Sequence, residues 1–449
     1  MNTELVEKVV NAVLYEGYIL YPYRATSAKN RERFTFGRVY PEDYSVAQHG
    51  AEPCSMQTEC LVRNESKDAV VAISVRFLHP MAREVGLLRE PTAEISPEQP
   101  PAFDIVPDFR VGEQLYQTWQ EVVEQKVEVP SFPLREAWQT THDFAFPSSR
   151  SVEAIRGAEE IISAVLVRRQ DSVCGAIEIV AEPIDDTVFK ISVRIFNRTP
   201  VPPHEIENQS AIIMRTFTST HTILHTQGGE WLSLTDPPPA YAEGTKACKN
   251  IGTWPVLVGE ESKNDRDTML SSPIILYDYP QIAPESPGDL FDGLEIDEIL
   301  TLRVMAMSDA EKVEMRQVDE QARKILERTE NMSSEKILQL HGVMRSLSSS
   351  NEDFFNPSTQ KKTATVGGVE LKAGDKVRIR PKKRADVMDI ALDGKIAVIE
   401  AVEQDVEGGV QFALVLDDDP GRDLGMMRQP GHRFFYSTDE VEPVKESDK

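Results

Sequence analysis

The chain has 449 residues, about three times a typical domain, and its 40% hydrophobic and 27% charged residues form a globular composition, so two or three folded domains are expected and wholesale disorder is excluded. A formal net charge of −25 argues against nucleic-acid binding, which draws its affinity from Lys and Arg on the phosphates, and against anionic membranes. No apolar run approaches the ~20 residues of a membrane helix, Glu4 and Glu7 stand where a secretory signal carries positive charge, and Cys54, Cys60, Cys174 and Cys248 are too few for a disulfide framework, so a cytoplasmic protein without membrane insertion is expected.

Taken in order, residues 3–16 place Leu5, Val6, Val9, Val10, Val13 and Leu14 at helical spacing, and Gly17 ends that helix. The basic, aromatic segment 29–36 reads as a strand pair whose Arg groups cover an acidic body, with phosphate binding as the alternative. Alternation over 59–63 and 70–78, across the polar turn 64–68, predicts a β-hairpin; 177–181 and 188–196, across Glu182-Pro183-Ile184-Asp185-Asp186, predict a second. Ile73-Ser74-Val75-Arg76 matches Ile191-Ser192-Val193-Arg194 at a constant offset, which suggests a duplicated β-unit near 56–80 and 174–200. Helices are predicted around 112–127 and 153–168, and Trp138 is expected to anchor the intervening loops to a core.

In 272–303 two apolar runs, Ile274-Ile275-Leu276-Tyr277 and Ile299-Leu300-Thr301-Leu302, read as strands enclosing an acidic loop with Glu285, Asp289, Asp292, Glu295, Asp297 and Glu298. No Lys or Arg neutralises them, so the loop is expected to face outward toward a basic partner, or toward a divalent cation held by oxygens. Ser308-Asp309-Ala310-Glu311 is a capping box that opens a helical arm over 306–345, with a second helix from Ser333 or Ser334 to Leu340. A polar linker spans 346–366. Strict alternation in 371–380 and 394–402, with further strands at 412–416 and 433–436, resembles an SH3-like small β-barrel over 367–445. The expected class is α+β, mainly β, with the β-rich body over 1–305.

His221 and His225 fall on one face of a helix or a strand, so they are candidates to share nickel, iron or zinc, with His204, Cys248, Glu205 or Glu230 as a further ligand. Thr222 occupies the place that HExxH gives to its general base. His49, Cys54 and Cys60 lack C-x-x-C spacing, and structural cysteines are the expectation there. P-loop, G-x-G-x-x-G and G-x-S-x-G motifs are absent. Lys382, Lys383 and Arg384 form a basic strip in a module that is acidic overall, which favours docking on an acidic protein surface over RNA.

Three stretches, LYEGYILYPYR with KNRERFTFGRVYP in 14–41, SSPIILYDYPQIAPESPGDLFDGLEIDEILTLR in 271–303 and DDDPGRDLGMMRQPGHRFFY in 417–436, together resemble bacterial proteins encoded beside nickel–iron (NiFe) hydrogenase genes. The large subunit of such an enzyme holds its metals with paired C-x-x-C motifs, which this chain lacks. The resemblance therefore implies a non-enzymatic accessory or assembly protein whose partners are hydrogenase subunits or maturation factors. The other reading is a metal-dependent enzyme or metallochaperone centred on His221 and His225.

Overall fold

Alternation of β-branched and polar residues decides most of the chain. The computed structural model describes residues 3–444 except 26, 32, 67, 97–100, 113, 158–160, 283–287, 289, 293–296, 319, 333–359, 362, 382–391, 405–409 and 418–433. The protein is mainly β with a few helices. It divides into two compact units: the first is built on Met1–Ile282 with 291–293 and 313–323, and the second on the remainder to Lys449. The helical segment expected as a separate arm over 306–345 is thus shared between the units.

In the first unit, α1 (Thr3–Leu14) is the expected amphipathic helix, burying Val6, Val9, Val10 and Leu14. Three short helices, α2 (Glu42–Ala47), α3 (Gln209–Ile213) and α4 (Ala242–Lys246), sit in connections. The strands are β1 (Ser55–Asn64), β2 (Val70–Thr92), β3 (Phe103–Val106), β4 (Asp108–Val111), β5 (Gln114–Gln117), β6 (Trp119–Pro133), β7 (Trp138–Phe146), β8 (Ser149–Arg156), β9 (Ile162–Gln170), β10 (Val173–Pro183), β11 (Val188–Asn197), β12 (Thr218–Gln227), β13 (Gly229–Trp231), β14 (Trp254–Leu257) and β15 (Thr268–Ser272).

Two antiparallel sheets form a sandwich. One has the order β13-β1-β11-β10-β7; the other runs β14-β15-β12-β2-β9-β8, with β3 and β6 also on β2. Val71, Ile73, Val75 and Phe77 of β2 meet Ile177 and Ile179 of β10 and Ile191, Val193 and Ile195 of β11 in one core between the sheets. Period-two spacing sends every second residue inward, so each of these strands delivers a full apolar face.

The hairpin expected over 177–196 is β10–β11, and its turn is an Asx turn in which Asp185 Oδ1 accepts from the backbone N–H of Thr187 (2.7 Å) and Val188 (2.8 Å). The hairpin expected over 59–78 does not form. β1 pairs with β11 and β13, while β2 pairs with β12, β6, β9 and β3, because the turn at 64–69 carries the chain from one sheet to the other. The matching Ile-Ser-Val-Arg segments accordingly lie in different sheets. They share an in–out alternation: the isoleucine and valine of each enter the same core.

Among the described residues, segments 112–127 and 153–168 are occupied mainly by strands β5, β6, β8 and β9, not by the expected helices. Val122, Val123 and Val127 of β6 and Val165 and Val167 of β9 are β-branched residues whose long pairing with β2 outweighs a helix-like apolar spacing. Trp138 anchors as expected, stacked on Phe132 with centroids 4.1 Å apart. The 29–36 segment is not a strand pair. Arg33 is buried with its guanidinium 3.7 Å above Trp119, donating to the Tyr18 carbonyl at 2.6 Å, so its charge supports the interior.

The second unit contains α5 (Asp297–Met305); α6 (Asp309–Val318) and α7 (Glu320–Glu330) straddle the division of the chain. Ile299-Leu300-Thr301-Leu302 is therefore helical, and 274–277 is irregular with Ile275 and Tyr277 exposed, so neither flank of the acidic loop is a strand. The capping box is realised: Glu311 N–H donates to Ser308 Oγ (3.4 Å), and Ser308 N–H to Glu311 Oε2 (3.0 Å). The helix expected from Ser333 or Ser334 lies outside the described residues.

Next come β16 (Gln360–Lys361), β17 (Thr363–Val366), β18 (Val369–Lys372), β19 (Lys376–Ile379), β20 (Ile396–Gln404), β21 (Val410–Leu416), β22 (Phe434–Ser437) and β23 (Val441–Pro443). Strands thus begin at 360, inside the expected linker. A six-stranded sheet, β22-β21-β20-β19-β23 with β16 on β20, and the β17–β18 hairpin enclose a core of Val377, Ile379, Ile399, Phe412 and Leu414. Among the described residues no helix is long and apolar enough to cross a membrane.

Candidate functional site

The central strand here is β12, whose outward residues are His221, Ile223 and His225. Four residues of extended chain separate the two histidines by about 13 Å, so sharing a face does not let them share a metal. His221 is fully buried. Its Nδ1 donates to the Ser219 carbonyl at 2.7 Å, which leaves Nε2 as the acceptor for the Ser272 hydroxyl at 3.2 Å. Burial, with some help from the Arg76 cation, lowers its pKa to about 4, so the ring is neutral at physiological pH. Ser272 Oγ in turn accepts from Ile274 N–H (3.0 Å). This Ser–His contact has the residue types of a nucleophile and base, but a backbone carbonyl stands in the place of an orienting carboxylate and solvent does not reach it.

The remaining metal candidates are dispersed. His204 is exposed on a short turn, with Glu205 3.7 Å away, and Glu205 is itself bound to Arg215 at 2.5 Å. Glu230 pairs with Arg63 at 2.5 Å. Cys248 packs beside Leu61, Val188 and Leu232, and its thiol donates to the Gly244 carbonyl at 3.5 Å. Burial and then the neighbouring Glu59 carboxylate push that thiol up to about 11, which keeps it protonated and a poor ligand. Cys60 is buried in the sandwich core, where burial likewise raises it, and Cys54 is a free thiol. Among the described residues no three His, Cys, Asp or Glu side chains are close enough to hold a metal ion.

Of the acidic loop, Glu285, Asp289 and Glu295 lie outside the described residues, as does the side chain of Glu298. Asp292 is turned inward, not outward: it is 4% exposed and accepts from the Tyr21 N–H at 3.1 Å. A carboxylate that satisfies a backbone donor is held inside by that bond, which local sequence does not reveal. Asp297 opens α5. Lys382, Lys383 and Arg384 also lie outside the described residues.

What the structure does assemble is a groove on the outer face of the eight-stranded sheet. Ladder partners share a face, so three rungs cross it: His221–Arg76–Lys126, Ile223–Ser74–Glu128, and His225–Ala72. On the first rung Arg76 is buried and clamps α1, donating to Glu7 (2.9 Å), Asn11 (2.6 Å) and Glu124 (2.7 Å), while α1 packs its valines on Val256, Val258 and Leu270. On the next two rungs the middle strand carries only Ser74 and Ala72. These small side chains leave a trough of about 440 Å³ beside α1, with Val6 and Ile223 as apolar walls and Glu7, Lys126, Glu128 and His225 at its rim.

His225 is half-buried there, its Nδ1 3.2 Å from Thr268 Oγ1. Thr268 Oγ1 donates to Asp267 (2.8 Å), so His225 Nδ1 is the donor toward Thr268. Across the rim Lys126 and Glu128 pair at 2.7 Å, and that hydrogen bond holds the Glu128 carboxyl below its usual range.

The sequence matches no family model and no curated protein. The groove is therefore read from its own chemistry. It has apolar walls, a rim of both charge signs and one uncommitted imidazole edge, a lining that suits side chains of a protein segment better than a charged small molecule. Of the residues singled out from sequence it includes His225 alone. The small outward pair Ala72 and Ser74, between inward Val71, Ile73 and Val75, was the signal available for the rest.

Proposed function

We propose that the protein is a non-enzymatic accessory or assembly factor of a cytoplasmic nickel–iron hydrogenase system, which holds an apolar segment of a protein partner in the groove beside α1. The observation that carries this reading is the trough over Ala72 and Ser74, open and apolar-walled, whereas His221 and Cys248 are committed to structural hydrogen bonds. The overall charge of −25 favours a segment flanked by Lys or Arg, by electrostatic steering. The hydrogenase assignment rests on the resemblance of 14–41, 271–303 and 417–436, which names hydrogenase subunits and maturation factors as the partners to try. The C-terminal module is proposed to be an SH3-like small barrel that offers a second partner surface, an idea supported by its short antiparallel strands around a core of its own.

Binding of the purified chain to purified hydrogenase subunits and maturation factors, measured by calorimetry, tests this. Ser74→Trp fills the trough without entering the core, and is expected to weaken binding at least roughly tenfold at unchanged melting temperature. Absence of binding to every such protein, or equal binding by the variant, overturns the proposal.

A further inference from the structure

Sheet edges in the first unit are protected in ways that natural β proteins use, with one exception. β6 carries Pro130, Pro133 and four charged residues; β8 carries Arg150, Glu153 and Arg156 and a register irregularity against β9; β13 and β14 are three and four residues long. β7 carries a single charged residue, Asp143, which pairs with Arg198 of the same chain at 3.3 Å, and has none of the other devices. It pairs with β10 through nine consecutive residues without a bulge, contains no proline, lysine or arginine, and among the described residues no other strand pairs with its outer edge. Its inward Trp138, Phe144 and Phe146 pack on the core yet stay half-buried, so the sandwich is incompletely closed along this edge.

The sequence of β7 complements itself when read antiparallel. Centred on His142, all nine residues pair with a second copy: Trp138 stands opposite Phe146 and Thr140 opposite Phe144 on the inward side. On the outward side Asp143 stands opposite Thr141, a hydrogen-bonding pair, and Gln139 opposite Ala145. Centring on Asp143 instead would oppose two carboxylates, which cross-strand pairing penalises. Centring on Thr141 pairs only the seven residues 138–144, so the register that uses the whole of β7 is the one centred on His142, where each His142 faces its own copy.

We propose that the outer edge of β7 is a homodimer interface, in which two copies join their five-stranded sheets across a two-fold axis at His142. Nine residues span about 30 Å, so the area buried is below that of a standard interface and the dissociation constant is on the order of micromolar. Apolar contact between Trp138 and Phe146 of the second copy, at both ends of the strand pair, completes the cover of the core edge.

Sedimentation velocity of the full chain over about 1 to 100 µM, the range that brackets such an affinity, reads this directly. The wild type is expected to shift from 50.4 kDa to twice that mass. Thr141 is exposed and faces Asp143 of the second copy, so Thr141→Asp should raise the dissociation constant roughly tenfold and Thr141→Lys should lower it. Melting temperatures accompany both variants, because position 141 also faces Glu178 within the chain. A wild type that is monomeric throughout overturns the proposal, as does a dimer in which folded Thr141→Asp and Thr141→Lys show the same affinity.

Discussion

Lowering the pH from 7 to about 4.5 should destabilise the sandwich through two buried imidazoles. His221, bonded to Ser219 and Ser272, and His79, with its ring nitrogen 3.0 Å from the Met214 carbonyl, are both lowered by burial from 6.5 to about 4. The unfolded chain takes up a proton at each imidazole as pH drops through about 6.5, whereas the folded chain resists until about pH 4. Stability is therefore complete above about pH 6.5 and is lost as pH falls through that window, by up to about 3 kcal/mol per histidine. That is a large part of an ordinary folding free energy. All four tryptophans, Trp119, Trp138, Trp231 and Trp254, lie in the first unit, so urea unfolding followed by tryptophan fluorescence reports this unit without the C-terminal module. His221→Gln keeps a donor and an acceptor; it should cost about 1–2 kcal/mol at pH 7 and reduce the loss between pH 6.5 and 4.5 by close to half. A pH dependence identical to wild type would refute the reasoning.

Other outcomes follow from the same contacts. Arg76→Ala removes the clamp on α1 and is expected to cost about 3 kcal/mol, discounted for the partial exposure of Glu7 and Glu124, with faster amide exchange in α1 as the check. In Gly175→Ala the new methyl would collide with the Phe196 carbonyl and meet the Phe144 ring at 2.6 Å, so a loss of about 2–3 kcal/mol is expected in a urea titration. Cys248, with its thiol near 11, should react with a disulfide reagent at pH 7 roughly a hundredfold more slowly than an ordinary exposed thiol, as measured by mass spectrometry of each cysteine peptide.

Local chemistry was legible in the sequence, and non-local partnership was not. The valine spacing of α1, the hairpin turn over 182–186, the Ser308 capping box and the alternation of the C-terminal strands each depend on residues a few positions apart, and each is found. Val165 and Val167 acquire their strand conformation from β2, some eighty residues earlier; pairing with β2 likewise overrides the helix-like spacing at Trp119, and pairing with β4 does so at Leu115. Asp292 became an interior hydrogen-bond acceptor through Tyr21, 271 positions away. For the candidate site, spacing identified a shared face for His221 and His225 correctly, but only the strand rise shows that this face separates them. The groove was hidden for the same reason: Ala72 and Ser74 mean little until Ile223 and Glu128 stand on either side.

The most direct measurement is photocrosslinking from the groove itself. A benzophenone amino acid placed at Lys126, on the rim, should crosslink purified hydrogenase subunit or maturation factor through an apolar segment flanked by basic residues, and Ser74→Trp in the same chain should abolish the product. Crosslinking that persists in the filled variant, or that arises only from a control position such as Lys190 on the opposite sheet, would contradict partner binding in the groove.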